Sequence, residues 1–268
     1  MQARRDRGRE ELPAFSPTLA RWFGRYLRYY FRRHFSAVRL LAGFDGAALR
    51  ARPIVVYANH PSWWDPIFFM LIHEKCFPER GMFGPMDAVA LEKYGFMRRL
   101  GVFGVELGSP RGVATFLRTS RAVLARGDAT LWITPQGRFC DARERPVELQ
   151  PGLAHLVRSV PRLAMLPLAV EYPFLDERNP EALALFGRPE LAEEAALADV
   201  AAWSNHLAQR LEATQDELAA AVRSRDVSSF GILVGGQVGV GGVYDLWRRL
   251  KAWSTGRAFR PGHREVRP

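Results

Sequence analysis

From residue 53 onward the chain alternates short apolar runs with longer amphipathic stretches, and this alternation limits the possible folds more than any other feature. The apolar runs have the length of buried strands, and they read PIVVYA (53–58), GVFGVEL (101–107), ATLWIT (129–134) and AMLPLAVEY (164–172). Stretches with helical periodicity lie between them, at 64–74, 113–127 and 151–160. This order predicts an α/β fold, with a mostly parallel central sheet flanked by helices. The ligands of such a sheet gather where its strands end.

Two local features leave details of this sheet open. Pro167 lacks an N–H, so it indicates an edge strand, a bulge or the start of a strand. The run EALALFG at 181–187 fits either a strand or a helix. After it, a long alanine-rich helix is predicted from about Pro189 to Arg223.

Length and cysteine content exclude several classes of protein. A chain of 268 residues holds one or two domains and is long enough to bury a sizeable core. Cys76 and Cys140 are too few for a disulfide framework and have no metal-type spacing around them, so we predict two reduced core thiols and no metal site. The longest apolar run, Ile232 to Tyr244, is short and broken by glycines, so no segment is expected to span a bilayer.

The net charge of +10 is concentrated at the two ends of the chain. Residues 1–44 carry ten arginines against three acids, and residues 223–268 carry nine Lys and Arg against three acids, while the middle is slightly acidic. Basic ends of this kind favour an anionic partner, either nucleic acid or a membrane headgroup layer. Because the chain contains no recognisable nucleic-acid-binding module, we expect an anionic membrane surface as partner and no nucleic acid.

Aromatic residues accompany the basic ends. In LARWFGRYLRYYFRRHF (19–35) large apolar side chains recur at helical spacing, and arginines fall between them. This composition is typical of a helix that lies in the membrane interface, although an ordinary helix packed on the core with a basic outer face would have the same pattern. A second basic and aromatic patch runs from Leu246 to Trp253, and the last dozen residues are predicted to be disordered.

The stretch YANHPSWWDP, which begins at Tyr57, holds the strongest candidates for chemistry. Among the six histidines only His60 has an aspartate five positions later, at Asp65. His60 stands where a buried strand ends, and a turn at Pro61 would fold the Asp65 carboxylate back onto the imidazole. A carboxylate on one ring nitrogen fixes the tautomer and leaves the other nitrogen to take a proton from a hydroxyl. The alternative is that Asp65 only caps a helix and His60 is a satisfied turn residue.

Four segments, in order along the chain, resemble the sequence blocks of the glycerolipid acyltransferases, the enzymes that acylate glycerol phosphate, lysophosphatidic acid and related lysolipids. The segments are NHPSWWDP, GVFGVELGSPRG, TPQGRF (134–139) and LPLAV (166–170), and the resemblance covers about residues 35–190. It implies that His60 is the general base for the acceptor hydroxyl and that Asp65 orients it. It also implies an acyl thioester of coenzyme A or of acyl carrier protein as co-substrate, with no further cofactor.

The resemblance also implies a set of substrate-binding residues, although two blocks depart from the family pattern. The implied set is Asn59, Ser62, Arg111, Pro135, Gln136, Gly137 and Arg138. The third block ordinarily reads Phe-Pro-Glu-Gly-Thr-Arg, and its Glu and Arg help to hold the glycerol phosphate of the acceptor. Here Gln136 replaces the acid, and the arginine comes one place early, as Arg138. In the second block an Asp-Arg pair has become Glu106-Leu107, and the nearest arginine is Arg111.

These departures weaken the case for a phosphate-bearing acceptor, because arginine binds phosphate in a fork that glutamine and leucine cannot form. The sequence therefore supports the reaction more strongly than the substrate. We expect acyl transfer to the hydroxyl of a lysolipid that resembles 1-acylglycerol 3-phosphate. An acceptor without phosphate, such as a lyso-ornithine lipid or a glycosylated isoprenoid, stays open. A non-catalytic membrane lipid-binding protein on the same fold stays open as well.

Together these patterns divide the chain into three parts. Residues 1–44 are predicted to form a basic amphipathic membrane-docking segment, residues 45–222 the α/β acyltransferase domain, and residues 223–268 a glycine-rich and basic extension. The basic ends and the lack of a signal sequence predict a peripheral protein at the cytoplasmic face of the cell membrane.

Overall fold

The computed structural model describes residues 12–195 and 197–237, and the secondary structure lies within these ranges. The helices are α1 (Pro17–His34), α2 (Asp65–Cys76), α3 (Ala88–Lys93), α4 (Pro110–Leu124), α5 (Gly152–Ser159) and α6 (Val200–Ser224). The strands are β1 (Ala37–Leu41), β2 (Ile54–Ala58), β3 (Gly81–Asp87), β4 (Val102–Val105), β5 (Ala129–Ile133), β6 (Ala164–Glu171), β7 (Glu181–Phe186), β8 (Glu190–Leu191) and β9 (Phe230–Gly235).

All the described strands join one sheet. Its order is β4-β3-β5-β2-β6-β7-β1-β9, and the short β8 pairs with β6 beside this path. The five strands from β4 to β6 are parallel to one another, whereas β7 is antiparallel to β6. Further out, β1 is parallel to β7 and antiparallel to β9. The predicted α/β fold with a mostly parallel sheet is therefore confirmed.

Helices cover both faces of the sheet, and β2 shows why its sequence is continuously apolar. Ile54, Val56 and Ala58 point into the core on the side of α1 and α2. Val55 and Tyr57 point into the core on the side of α4, α5 and α6. A strand that is buried on both faces cannot alternate apolar with polar residues, so it reads as an unbroken apolar run.

The parallel strands define one functional edge. Because β2, β3, β4, β5 and β6 run in the same direction, their carboxyl ends lie side by side, and we call this the carboxyl edge of the sheet. The first and third blocks lie in the loops that leave β2 and β5, the second spans β4 and the loop after it, and the fourth lies within β6. The fold therefore brings together segments that are far apart in the sequence.

Three strands differ from the sequence-based expectation. β3 contains two glycines and a proline and has no β-branched residue, so its composition does not indicate a strand. β1 and β9 lie in the flanking segments 1–44 and 223–268, yet they pair with each other and extend the sheet. The boundaries expected at residues 44 and 222 thus cut through one continuous sheet.

The remaining open features of the sheet have physical explanations. The run at 181–187 forms strand β7, and α6 begins at Val200, eleven residues after the predicted start, because β8 and turns occupy part of the interval.

Pro167 lies in the middle of the sheet, so the predictions of an edge strand and of a strand start were wrong. On one side of β6, the partner strand is β8 before Pro167 and β7 after it. The register shifts by one residue between these two pairings, from Met165–Glu190 to Leu168–Phe186. This bulge accommodates the missing N–H.

Two further predictions concern bilayer-spanning segments and the C-terminal residues. None of the helices in the described ranges combines the length and the apolar character that a bilayer span requires. The basic and aromatic patch at 246–253 and the predicted disordered end lie outside the described residues.

Candidate active site

His60 and Asp65 meet at the carboxyl edge, where β2 ends and α2 begins. β2 ends at Ala58, a short turn follows, and α2 starts at Asp65 with a proline as its next residue. The turn brings His60 Nδ1 to 2.7 Å from Asp65 Oδ2. The His60 side chain is 18% exposed, and the Asp65 side chain is fully buried. The local fold thus gives the imidazole a carboxylate partner and access to solvent.

Asp65 receives three hydrogen bonds from three different groups. Besides His60, the backbone N–H of Ser62 donates to Oδ2 at 3.0 Å, and the Tyr172 hydroxyl donates to Oδ1 at 2.6 Å. Burial raises the pKa of the Asp65 carboxyl, and hydrogen bonds from His60, Tyr172 and Ser62 oppose that rise. Since the Ser62 N–H and the Tyr172 hydroxyl both donate, the arrangement fits the ionised carboxylate.

The same contacts assign the imidazole tautomer and exclude the simple capping role. An ionised carboxylate only accepts, so His60 Nδ1 carries the hydrogen and Nε2 is the nitrogen that remains to accept a proton. The Ser62 amide that Asp65 binds precedes the helix, and no side chain caps the N-terminus of α2. Asp65 therefore acts on the histidine and the turn rather than on free helix amides.

Tyr172 is a site residue that the sequence reasoning missed. It lies directly after β6, the parallel neighbour of β2, and its hydroxyl reaches Asp65 from 107 positions away in the sequence. Burial and the neighbouring Asp65 raise the pKa of Tyr172 well above its usual value, so the hydroxyl stays protonated and donates. A polar residue at the end of a predicted strand was the available signal, but its significance depended on knowing that β6 lies beside β2.

The third block holds the backbone of His60. The Gln136 side-chain oxygen accepts from the His60 backbone N–H at 3.1 Å, and the Cys140 backbone N–H donates to the His60 carbonyl at 2.9 Å. Gln136 and Pro135 are buried in the loop that follows β5, next to β2. The residue that replaces the family's acid thus contacts the backbone of the candidate base.

Asn59 has a comparable structural contact. Its side-chain amide donates to the Val170 carbonyl at 3.0 Å and accepts from the Val170 N–H at 2.8 Å, and the side chain is buried. This pair of bonds continues the pairing of β2 with β6 past the end of β2. It fixes the position of the residue that precedes His60.

The other predicted substrate-binding residues lie in different environments. Arg138 is exposed and forms an ion pair with Glu144, and Gly137, with a φ of +72°, closes the turn that begins at Thr134. Arg111 is exposed in the first turn of α4, and three strand spacings separate β4 from β2, about 14 Å along the edge. The structure therefore brings Asn59, Ser62, Pro135 and Gln136 to His60, whereas Arg111 follows a strand that is three places from β2 in the sheet. Contact with substrate stays a prediction for all seven residues.

Aromatic side chains lie beside the candidate base and in the turn that follows it. The ring of Phe139 lies over His60 with 4.4 Å between ring centroids. Trp64 packs against four rings at the end of α1 and beyond it, which are Tyr30, Phe31, His34 and Phe35. Trp63 is more than half exposed. The two tryptophans thus divide between core packing and the surface near the site.

This geometry places a partly exposed histidine, held by a buried carboxylate, beside the exposed ring of Phe139. A histidine whose tautomer is fixed by a buried carboxylate can remove the proton of a hydroxyl bound at Nε2. In residues 12–195 and 197–237 no cluster of three or more His, Cys, Asp or Glu side chains is arranged to hold a metal ion.

Comparison with known proteins identifies the family that has this arrangement. Residues 44–171, which include His60, Asp65 and the third block, match the family model described as Acyltransferase. Residues 44–171 therefore form an acyltransferase domain. The resemblance inferred from the four sequence blocks is thereby confirmed.

A solved structure supports the fold of this acyltransferase. The chain is similar to the 1-acyl-sn-glycerophosphate (LPA) acyltransferase PlsC from Thermotoga maritima, with 13% sequence identity and a TM-score of 0.51. The similarity covers 76% of this chain and 80% of that chain. At this level of identity the likeness shows a shared fold. The search among curated proteins gave no match.

Proposed function

We propose that this acyltransferase moves a fatty acyl group from a thioester to a hydroxyl of a lysolipid-like acceptor, with His60 as general base and Asp65 as the group that orients it. The observation that carries the proposal is the His60–Asp65 contact of 2.7 Å at the carboxyl edge, within the segment that matches the family. Its buried carboxylate, its fixed tautomer and its place at a strand end together fit a base rather than a structural histidine.

The proposed reaction has one covalent step and balances without a further reactant. His60 Nε2 takes the proton of the acceptor hydroxyl as the oxygen attacks the thioester carbonyl. The new C–O bond forms, the C–S bond breaks, and the proton passes from His60 to the departing sulfur. Asp65 stabilises the imidazolium that exists between these two proton transfers.

The scaffold contributes through orientation. Tyr172 and Ser62 hold the Asp65 carboxylate, while Gln136 and Cys140 hold the backbone of His60. General base catalysis by a positioned histidine contributes about 10²- to 10⁴-fold in rate, and positioning of the two substrates contributes further. The acyl donor is proposed to be a thioester of coenzyme A or of acyl carrier protein.

The direct test is acyl transfer by the purified protein. Labelled acyl-coenzyme A and acyl carrier protein thioesters are incubated with a panel of lysolipids, and the products are identified by mass. We expect product with at least one donor and acceptor and a loss of about 10²-fold or more in the variant His60→Ala. His206→Ala is the matched control, because His206 also pairs with a carboxylate but lies on α6. Transfer that survives His60→Ala unchanged would show that His60 is not the base. Absence of transfer with every donor and acceptor would favour the second candidate function, a non-catalytic lipid-binding protein.

We also propose that α1 docks the protein on an anionic membrane surface, at the cytoplasmic face. Trp22, Tyr26 and Tyr29 recur at helical spacing on the outer face of α1 and are each more than half exposed. Arg25 lies over the Trp22 ring at 5.3 Å, and Arg33 lies over the Tyr29 ring at 5.7 Å. Exposed aromatic rings among arginines are suited to the headgroup layer, where each arginine contributes about 1 kcal/mol.

The opposite face of α1 anchors it beside the site. Leu27 and Phe31 are buried, so part of the predicted aromatic stripe packs on the core as the alternative interpretation held. Phe31 contacts Trp64, the residue before Asp65, and the half-buried Phe23 packs against the exposed Phe96 at 5.5 Å. Docking through the outer face of α1 would therefore bring the carboxyl edge close to a lipid surface.

Vesicle sedimentation tests the docking proposal. The double variant Trp22→Ser, Tyr26→Ser is expected to bind phosphatidylglycerol vesicles at least about tenfold more weakly than the parent. Its thermal stability should fall only slightly, because both side chains are more than half exposed and Tyr26 loses only its stacking on Phe23 and Tyr30. Val113→Ser removes an exposed apolar side chain from α4 and serves as the control. Equal binding by parent and double variant, at low and high salt, would contradict the proposal.

A further inference from the structure

Phe139 occupies the position at which the third block of the family ordinarily carries the phosphate-binding arginine. In TPQGRF the last residue is Phe139, and its ring lies over the imidazole of His60 with centroids 4.4 Å apart and an angle of 36° between the planes. The Phe139 side chain is 58% exposed, so its outer surface is open at the mouth of the site. The place beside the base is thus apolar instead of cationic.

The neighbouring arginine is directed to a carboxylate of its own loop. Both terminal nitrogens of Arg138 face Glu144, and one of them also lies 3.5 Å from the Phe139 carbonyl. The loop contains two more arginines, and each faces an acid: Arg143 pairs with Asp141, and Arg145 pairs with Asp216. Residues 138–148 hold three arginines and three acids, so the loop carries no net positive charge.

Carboxylates also lie at the ends of neighbouring strands. Asp87 ends β3, Glu106 follows β4, and Glu171 ends β6 at the same carboxyl edge. Burial raises the pKa of the Glu171 carboxyl, and the charges of Arg143 and Arg145 oppose this rise. Of these acids, Glu171 ends the strand next to β2, and a carboxylate there disfavours a dianionic ligand.

We propose that Phe139 determines acceptor specificity and that the natural acceptor carries no phosphomonoester next to its reacting hydroxyl. This inference rests on the proposed acyl transfer at His60. The ring of Phe139 forms one wall of the acceptor site, and an uncharged glycerol or sugar unit packs its C–H groups against that wall while its hydroxyl meets His60 Nε2.

The physical basis is the cost of placing a phosphate dianion against an aromatic ring. A phosphomonoester that leaves water needs charge-assisted donors in return, and arginine supplies two in parallel. At position 139 this chain supplies the face of a phenyl ring, whose quadrupole repels an anion and attracts C–H groups. An uncharged headgroup loses little on entering such a site.

The test compares two acceptors that differ only in the phosphate. The kcat/KM of the parent is measured with 1-acylglycerol and with 1-acylglycerol 3-phosphate of the same acyl chain, in the same mixed micelles. We expect the parent to favour the uncharged acceptor by about tenfold or more. Phe139→Arg is expected to reverse the ratio by raising kcat/KM for the phosphate acceptor about ten- to a hundredfold, the usual contribution of hydrogen bonds to a charged group. Ile232→Arg adds the same charge on β9, four strands from β2, and should leave the ratio unchanged.

A binding measurement keeps the inference testable apart from turnover. Glycerol 3-phosphate titrated into the parent by calorimetry should give no heat of binding at millimolar concentration, whereas Phe139→Arg should bind it. Arg138→Ala should change the kcat/KM of both acceptors by the same factor.

The outcomes separate the two proposals. A parent that favours the phosphate acceptor, or an Arg138→Ala variant that loses the phosphate acceptor selectively, overturns the inference and leaves acyl transfer intact. Absence of His60-dependent transfer with every donor and acceptor overturns the proposed function and this inference with it, and binding of glycerol 3-phosphate by the parent overturns the inference alone.

Discussion

Two histidine–carboxylate pairs in this chain have almost the same contact distance and very different surroundings. His60 Nδ1 lies 2.7 Å from Asp65 at the carboxyl edge, and His206 Nε2 lies 2.8 Å from both oxygens of Glu190, between α6 and β8. Asp65 is fully buried and receives two further hydrogen bonds. Glu190 is partly exposed and has Arg210 as a second cationic neighbour at 3.6 Å.

The difference lies in what the carboxylate can do for its histidine. At Asp65 every contact orients the group toward one imidazole, which stands at the end of a central strand. At Glu190 the charge is shared between a histidine and an arginine on a helix surface, an arrangement that contributes to packing of α6 on β8. The contact distance therefore does not distinguish the two pairs, whereas burial, the remaining contacts and the place in the sheet single out His60–Asp65 as the candidate.

Isosteric amides in the two pairs should separate them most strongly. Asp65→Asn removes the charge that supports the imidazolium, so we expect kcat to fall by about 10²- to 10⁴-fold while KM changes by less than about threefold. Glu190→Gln makes the same chemical change at the other pair, and its kcat should stay within about twofold of the parent. Steady-state kinetics with the best acceptor would measure both. An Asp65→Asn variant as fast as the parent would remove Asp65 from the mechanism.

The two pairs also show what sequence reasoning can find in a site. His60 and Asp65 are five residues apart across a turn, so their contact follows from local structure and was predictable. Tyr172 and Gln136 reach the same site across 107 and 76 positions. Their contacts depend on β6 and β5 flanking β2, and strand order is not encoded in the local pattern. Phe139 is part of the third block, but its stacking on His60 depends on the same strand order.

The fold was predictable to the extent that its strands are central. β2, β5 and β6 are buried on both faces and therefore read as continuous apolar runs. β9 forms an edge of the described sheet and has an exposed outer face, while β3 is rich in glycine and proline. Those strands gain their stability from pairing with neighbours, which a single stretch of sequence does not display.

A third histidine sharpens the comparison through pH. His73 is buried between α2 and β5, with Nε2 at 2.8 Å from the Arg80 carbonyl and Trp132 Nε1 donating to Nδ1 at 3.1 Å. Burial lowers the pKa of His73 from 6.5 to about 4. The unfolded chain therefore binds a proton more readily than the folded chain between these values. The stability that neutral His73 contributes is complete above about pH 6.5 and is lost as the pH falls toward 4.

We expect this loss to reach about 3 kcal/mol in the free energy of unfolding. Urea denaturation across that pH range measures it, and His73→Gln is the matched variant, because the amide can keep one donor and one acceptor without titrating. The difference between parent and variant isolates His73 from the carboxyl groups that titrate in the same range. Identical pH dependence in the two proteins would rule out a buried neutral histidine.

Tyr172→Phe probes the extra contact that distinguishes Asp65 from Glu190. The hydroxyl helps to lower the pKa of the Asp65 carboxyl, so its removal should raise that pKa and move the acid limb of the kcat/KM profile to higher pH. We expect kcat to fall about tenfold, the effect of one hydrogen bond to a charged group, with KM nearly unchanged. Tyr57→Phe is the control, since Tyr57 lies on β2 but points to the opposite face of the sheet. A fall in kcat without any change in the pH profile would indicate lost packing rather than lost support of Asp65.

The smallest expected effect concerns the stability of the second pair. Because His206 and Arg210 are each about one third exposed, Glu190→Gln should lower the free energy of unfolding by no more than about 1 kcal/mol. The loss should shrink further in high salt, which screens exposed charges. Thermal and urea denaturation at two salt concentrations would measure both changes. A loss of about 3 kcal/mol or more that is insensitive to salt is the behaviour of a buried ion pair, and it would show that burial does not separate Glu190 from Asp65.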